Sequence, residues 1–119
     1  MRQPQLYFNG ACSKCRTAQG LLADAGVEVE LVRYLERAPT VAELRDLMRL
    51  LGIDDPRGMM RTSEPDYAAL GLGATSSAEE LLEAIASHPI LLERPIFVRD
   101  GRAVVGRPPE RVLELLPPP

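Results

Sequence analysis

"QLYFNGACSKCRTAQGLLADAGVEVELV", residues 5–32, decides the fold. Residues 5–9, QLYFN, are a short apolar and aromatic run with the composition of a buried strand, broken at Asn9-Gly10, a turn signal. From Ser13 to Ala25 the apolar or small residues Cys15, Ala18, Leu22 and Ala25 recur three and four apart, which predicts a helix stopped by Gly26. Residues 27–32, VEVELV, alternate with a period of two and predict a second strand. Strand, helix and strand in so short a span form a βαβ unit, whose crossover is right-handed and whose strands are parallel.

The rest of the chain extends this start. Thr40 to Glu43 is a capping box opening a helix with Leu44, Leu47, Met48 and Leu51 on one stripe, ended by Gly52. EPDYAALGL, residues 64–72, predicts a short helix, and a second capping box, Ser77 to Glu80, opens another that must stop before Pro89. IFVR and RAVV, residues 96–99 and 102–105, flank Asp100-Gly101, a two-residue hairpin signal that makes this pair antiparallel. PPERVLELL, residues 108–116, closes as a short helix with proline at its start. The expected fold is α/β: a thioredoxin-like four-stranded mixed sheet, with a helical insertion at about residues 39–90 between the N-terminal βαβ and C-terminal ββα units. Residues 1–119 are expected to form a single domain.

Composition narrows the function. Hydrophobic content of 45% and charged content of 26% are ordinary for a globular protein and give no sign of disorder or a fibrous repeat. A formal charge of -3 argues against a basic nucleic-acid-binding face. The opening MRQPQLYFNG lacks the apolar core of a signal peptide, and no run approaches the roughly 18 apolar residues of a membrane span. A cytoplasmic monomer with no membrane and no nucleic-acid partner is expected. In a reducing compartment the only two cysteines, Cys12 and Cys15, are metal ligands, catalytic thiols or inert. Zinc needs about four ligands, and the chain adds only His88 and carboxylates, so no metal is expected.

Cys12 falls at the junction of strand and helix, where unpaired backbone N–H groups and the helix dipole favour thiolate, with Lys14 and Arg16 adding positive charge nearby. Cys15, one turn later on the apolar stripe, is either a resolving thiol or a small core hydrophobe. Arg94-Pro95 precedes the third strand, where thioredoxin-like proteins place a cis-proline beside the active cysteine; the alternative is an ordinary strand-start proline. His88 lies at a predicted helix end, where it is expected to cap.

With these pieces placed, the chain resembles the glutaredoxin-linked arsenate reductase family, which also includes the Spx transcriptional regulators. The matching stretches, in the family's order and spacing, are LYFNGACSKCRTAQGLL, YLERAPTVAEL, MMRTSEPDYAALGL, HPILLERPI and GRPPERVLELL. The resemblance implies that Cys12 is the nucleophile and that Arg61, Arg94 and Arg107 hold the oxyanion. Arsenate or a similar oxyanion, or a disulfide, is the implied substrate; no cofactor is bound, and Cys15, glutathione or glutaredoxin resolves the intermediate. Planar guanidinium forks that stay charged suit a tetrahedral oxyanion. Two positions depart from the reductases: Phe8 stands where they have histidine, and Gly10 where they have proline. Cys15 replaces the serine or threonine of many members, as in Spx. The leading reading is an arsenate reductase-like thiol oxidoreductase, and the alternative is an Spx-like redox-sensing regulator that binds RNA polymerase. Retention of all three arginines favours the enzyme.

Overall fold

The computed structural model describes residues 3–117. The chain divides into two compact units, one made of Met1–Tyr34 with Arg94–Pro119 and the other of Leu35–Glu93. The second contains the stretch expected as a helical insertion and begins and ends a few residues outside it.

The first unit carries the sheet. Its strands are β1 (Gln5–Tyr7), β2 (Glu30–Val32), β3 (Ile96–Arg99) and β4 (Arg102–Val105), in the spatial order β2-β1-β3-β4. β1 pairs parallel with β2 and antiparallel with β3, and β3 pairs antiparallel with β4, giving the expected thioredoxin-like mixed sheet. Register aligns Leu31, Leu6, Phe97 and Val104 in one row across all four strands. Leu6 and Phe97 are fully buried in a core with Phe8, Val104 and Val112. Helix α1 (Ser13–Asp24) lays Cys15, Ala18 and Leu22 on that core, as the spacing of its apolar positions predicts. The β3–β4 turn has positive φ at both Asp100 (50°) and Gly101 (76°), as a type I′ turn requires.

Four expectations change in detail. Only Glu30–Val32 of residues 27–32 is strand, because β1 offers just three pairing residues; Val27 and Val29 instead pack on the core from the preceding loop. Residues 8 and 9 likewise leave β1, since Asn9 is engaged in the turn that follows. Ala25 is exposed rather than on the buried stripe, because it is the C-cap residue of α1. The closing helix, Pro109–Leu115, is a 3₁₀ helix with i→i+3 bonds such as Arg111 N–H to Pro108 O at 3.0 Å. It still buries Val112.

The second unit is helical: α2 (Val41–Leu51), a 3₁₀ turn (Pro56–Met59), α3 (Pro65–Ala69), α4 (Ala78–Ser87) and a 3₁₀ turn (Pro89–Leu91). Both capping boxes form. Thr40 accepts from the Glu43 N–H at 3.1 Å while the Glu43 carboxylate accepts from the Thr40 N–H, and Ser77 and Glu80 do the same. Gly52 ends α2 in the left-handed conformation, φ 72°. Leu44 and Leu47 of α2 and Leu81, Leu82 and Ile85 of α4 are buried, with Met59, Leu91 and Leu92. His88 ends α4 through its backbone N–H on Ala84, while its buried Nδ1 has no hydrogen-bond partner. The capping is the backbone's, not the imidazole's.

Candidate active site

β1 delivers the chain into a tight turn. The Cys12 N–H donates to the Asn9 carbonyl at 2.9 Å, closing residues 9–12, and the Asn9 side chain accepts from the Ala11 N–H at 3.0 Å. This self-bonding is why asparagine favours turns. Arg16 Nη1 braces the same turn from α1 by donating to the Gly10 carbonyl at 2.7 Å. Cys12 leaves the turn as the N-cap of α1, in extended conformation. An N-cap side chain faces the orphan N–H groups of the first turn. The neutral thiol makes no capping hydrogen bond. A thiolate is the stronger acceptor, so the same donors favour ionisation.

Partial burial pushes the Cys12 thiol up, but the Cys15 backbone N–H, the Cys15 thiol, the Arg94 guanidinium and the Lys14 backbone N–H together outweigh it, and the net shift is downward. Cys15 moves the other way. Burial is the largest cause; the Asn9 N–H opposes it, but the hydrogen bond and charge interaction with Cys12 raise the thiol further, and Arg94 lowers it least. Its thiol is pushed up to about 11. Both are free thiols, Cys12 half-buried and Cys15 fully buried. One is set to ionise, and the other to stay protonated and donate to it.

The cation that acts on Cys12 is Arg94, not Lys14 or Arg16 as expected: Lys14 contributes through its backbone, and the Arg16 guanidinium is engaged with Gly10. The Arg94-Pro95 peptide is cis, as expected, and Pro95 is buried at the head of β3. Arg107 lies in the same unit, its Nε donating to the Arg94 carbonyl at 3.0 Å. Arg107-Pro108 is a second cis bond, for which the local sequence offers no signal beyond the X-Pro pair itself. Arg61 belongs to the second unit, where Nη1 pairs with Glu64 at 3.0 Å and its N–H donates to the Leu91 carbonyl at 2.8 Å. Phe8, the position expected to depart from the family's histidine, is a core residue 6% exposed, with the Arg33 guanidinium 5.5 Å from its ring centroid. Sequence reasoning missed Asn9 as a site residue and Gly106 altogether. The Asn9-Gly10 turn signal pointed to the first; nothing local points to the second. Among the described residues no three His, Cys, Asp or Glu side chains are grouped to hold a metal ion.

A four-stranded mixed sheet in the order β2-β1-β3-β4, with a cysteine at the N-cap of α1 and a second one turn on, defines a thioredoxin-like fold with two neighbouring thiols at the start of its first helix. Comparison narrows the class: residues 7–115 match the model of the ArsC family, and the chain belongs to that family. It is 46% identical over 116 residues to the uncharacterized protein YfgD of Escherichia coli strain K12, covering 97% of this chain and 98% of that one. It is 43% identical over 117 residues to an arsenate reductase of Neisseria meningitidis, covering 98% and 100%. Among solved structures, an arsenate reductase from Vibrio cholerae superposes with a TM-score of 0.92 at 44% identity, covering 95% of this chain and 97% of that one.

Proposed function

We propose that this chain is a thiol-dependent oxidoreductase that reduces an oxyanion of the arsenate kind through Cys12. The observation that carries the reading is Cys12 at the N-cap of α1, its thiol shifted toward ionisation where the Arg94 charge acts on it. The arsenate reductases among its relatives supply the substrate class.

The Cys12 thiolate attacks arsenic(V), forming an S–As bond as one oxygen leaves as water after protonation. A second thiolate then attacks the Cys12 sulfur. The S–S bond forms, the S–As bond breaks, and its electron pair stays on arsenic, which departs as arsenic(III). Arg94 and Arg107 are the cations assigned to the oxyanion, each charge-assisted contact contributing on the order of 1.5–3 kcal/mol. Cys15 or glutathione supplies the second thiol, and glutathione or glutaredoxin reopens the disulfide. Bonding of Cys12 to arsenic removes the negative charge that helps keep Cys15 protonated, while the larger effect of burial remains. Glutathione therefore competes with Cys15 for this step. The protein works in this reading as a cytoplasmic monomer.

A coupled assay with arsenate, glutathione and glutaredoxin tests the proposal. Arsenate-dependent thiol oxidation is expected from wild type and absent from Cys12→Ser. Equal rates from the two proteins would refute Cys12 as the nucleophile. Peroxide treatment in the presence of glutathione, followed by mass spectrometry, assigns the second thiol: a Cys12–Cys15 disulfide marks Cys15, and a glutathione adduct on Cys12 with Cys15 free marks glutathione.

A further inference from the structure

The β3–β4 ladder is continued past Ile96 and Val105, its last paired residues, by the Gly106 N–H, which donates to the Pro95 carbonyl at 2.8 Å. There it runs out of backbone donors. Pro95 has no N–H, and the Arg107 N–H turns back to its own strand, donating to the Val105 carbonyl at 3.0 Å. The Arg94 carbonyl, one residue earlier, accepts from a side chain: Arg107 Nε at 3.0 Å. Consecutive residues 106 and 107 thus hold the consecutive carbonyls of residues 95 and 94. Gly106 makes the first grip possible, because a Cβ there would stand 2.9 Å from both Pro95 Cγ and Val112 Cγ1. Gly106 and Pro95 are buried, and Arg94 and Arg107 half-buried, so the side-chain bond is part-buried.

We infer that Arg107 is a positioning residue for Arg94, its Nε–H on the Arg94 carbonyl fixing the backbone from which the Arg94 guanidinium serves the Cys12 site. This goes beyond oxyanion binding. It assigns Arg107 a duty in the ligand-free protein, through a hydrogen bond at Nε rather than through charge. Arg94 is the cation whose field reaches both sulfurs, so loss of its placement weakens ionisation of Cys12.

Two substitutions separate donor from charge. In Arg107→Gln the amide nitrogen sits at the same bond count from the backbone as Nε, so a donor remains and the charge is lost. In Arg107→Lys the charge remains and a carbon replaces Nε. Iodoacetamide labelling of Cys12, mapped by mass spectrometry across pH in the absence of arsenate, reads the result. Arg107→Gln is expected to keep the wild-type half-point and Arg107→Lys to raise it by about half to one pH unit, a fraction of what a neighbouring cation contributes. In an Arg94→Ala background the lysine substitution should add nothing. The reverse order, with Gln shifted and Lys unchanged, would overturn the inference in favour of direct charge, and additive shifts in the double variant would overturn it by showing that Arg107 acts independently of Arg94. If either variant fails to fold, the wild-type Arg107 Nε–H resonance decides: protection from solvent exchange supports the bond, and exchange at the rate of an exposed arginine overturns it. Because the readout is thiol ionisation, failure of the arsenate reading would show separately, as absent turnover with the Cys12 pattern intact.

Discussion

At the N-terminus of α1 two sulfurs one helical turn apart meet opposite surroundings. Cys12 has backbone donors and the Arg94 charge; Cys15 has the apolar core. The half-point of Cys12 labelling is therefore expected below the ordinary 9.0 of a free cysteine, and the signal should vanish in Cys12→Ser. Cys15→Ala should move the half-point upward, since it removes a thiol that donates to the Cys12 sulfur. Labelling that tracks Cys15 would contradict the assignment. Cys15 also gives a stability prediction. Its thiol stays protonated in the folded state up to about 11. In the unfolded chain it ionises near the ordinary 9.0. Below that pH both states hold the proton and the contribution is complete; between about 9 and about 11 the unfolded state binds fewer protons, so stability falls as pH rises. The loss is on the order of 3 kcal/mol at most. Urea midpoints at pH 8 and pH 11 should therefore fall further apart for wild type than for Cys15→Ala.

Elements with their own local signals formed where the sequence put them. Thr40 and Ser77 each open a helix through a reciprocal capping box, and Asp100-Gly101 adopts the paired positive φ values that its turn type needs. Thr40→Ala and Ser77→Ala are each expected to lower unfolding free energy by about 1 kcal/mol, range roughly 0.5–2, whereas Thr40→Ser should be close to neutral in the same urea titration. A loss well beyond that range would mean that the cap does more than start its helix. Boundaries followed partners rather than patterns. β2 stops short of its alternating sequence because β1 offers three residues, and the last helix tightens to 3₁₀ between Pro109 and Leu115.

Across the whole molecule the sheet row Leu31, Leu6, Phe97 and Val104 joins segments from the two ends of the chain. Leu6 is fully buried on the central strand β1, so Leu6→Ala should cost about 2–5 kcal/mol, read as a lower urea midpoint with loss of the sheet-containing unit's near-UV signal. A cost below about 1 kcal/mol would mean that this core collapses around the gap, contrary to its close packing. The sequence by itself determined the four strands and the α-helices in their order, both capping boxes, the hairpin turn, and the place of Cys12 at a helix start. All of these depend on residues within a few positions of one another. Family motifs added the arginines and the cis-proline as expectations. Only the tertiary structure decided that Arg94 rather than Lys14 acts on Cys12, that Cys15 is buried enough to hold its proton, and that Gly106 and Arg107 grip the backbone of Pro95 and Arg94. The division into two units, with Arg61 in the one that lacks Cys12, emerged at the same level. The reason is physical: desolvation and charge at a sulfur depend on which distant strands and side chains come to lie beside it, and strand pairing sets that, not spacing along the chain.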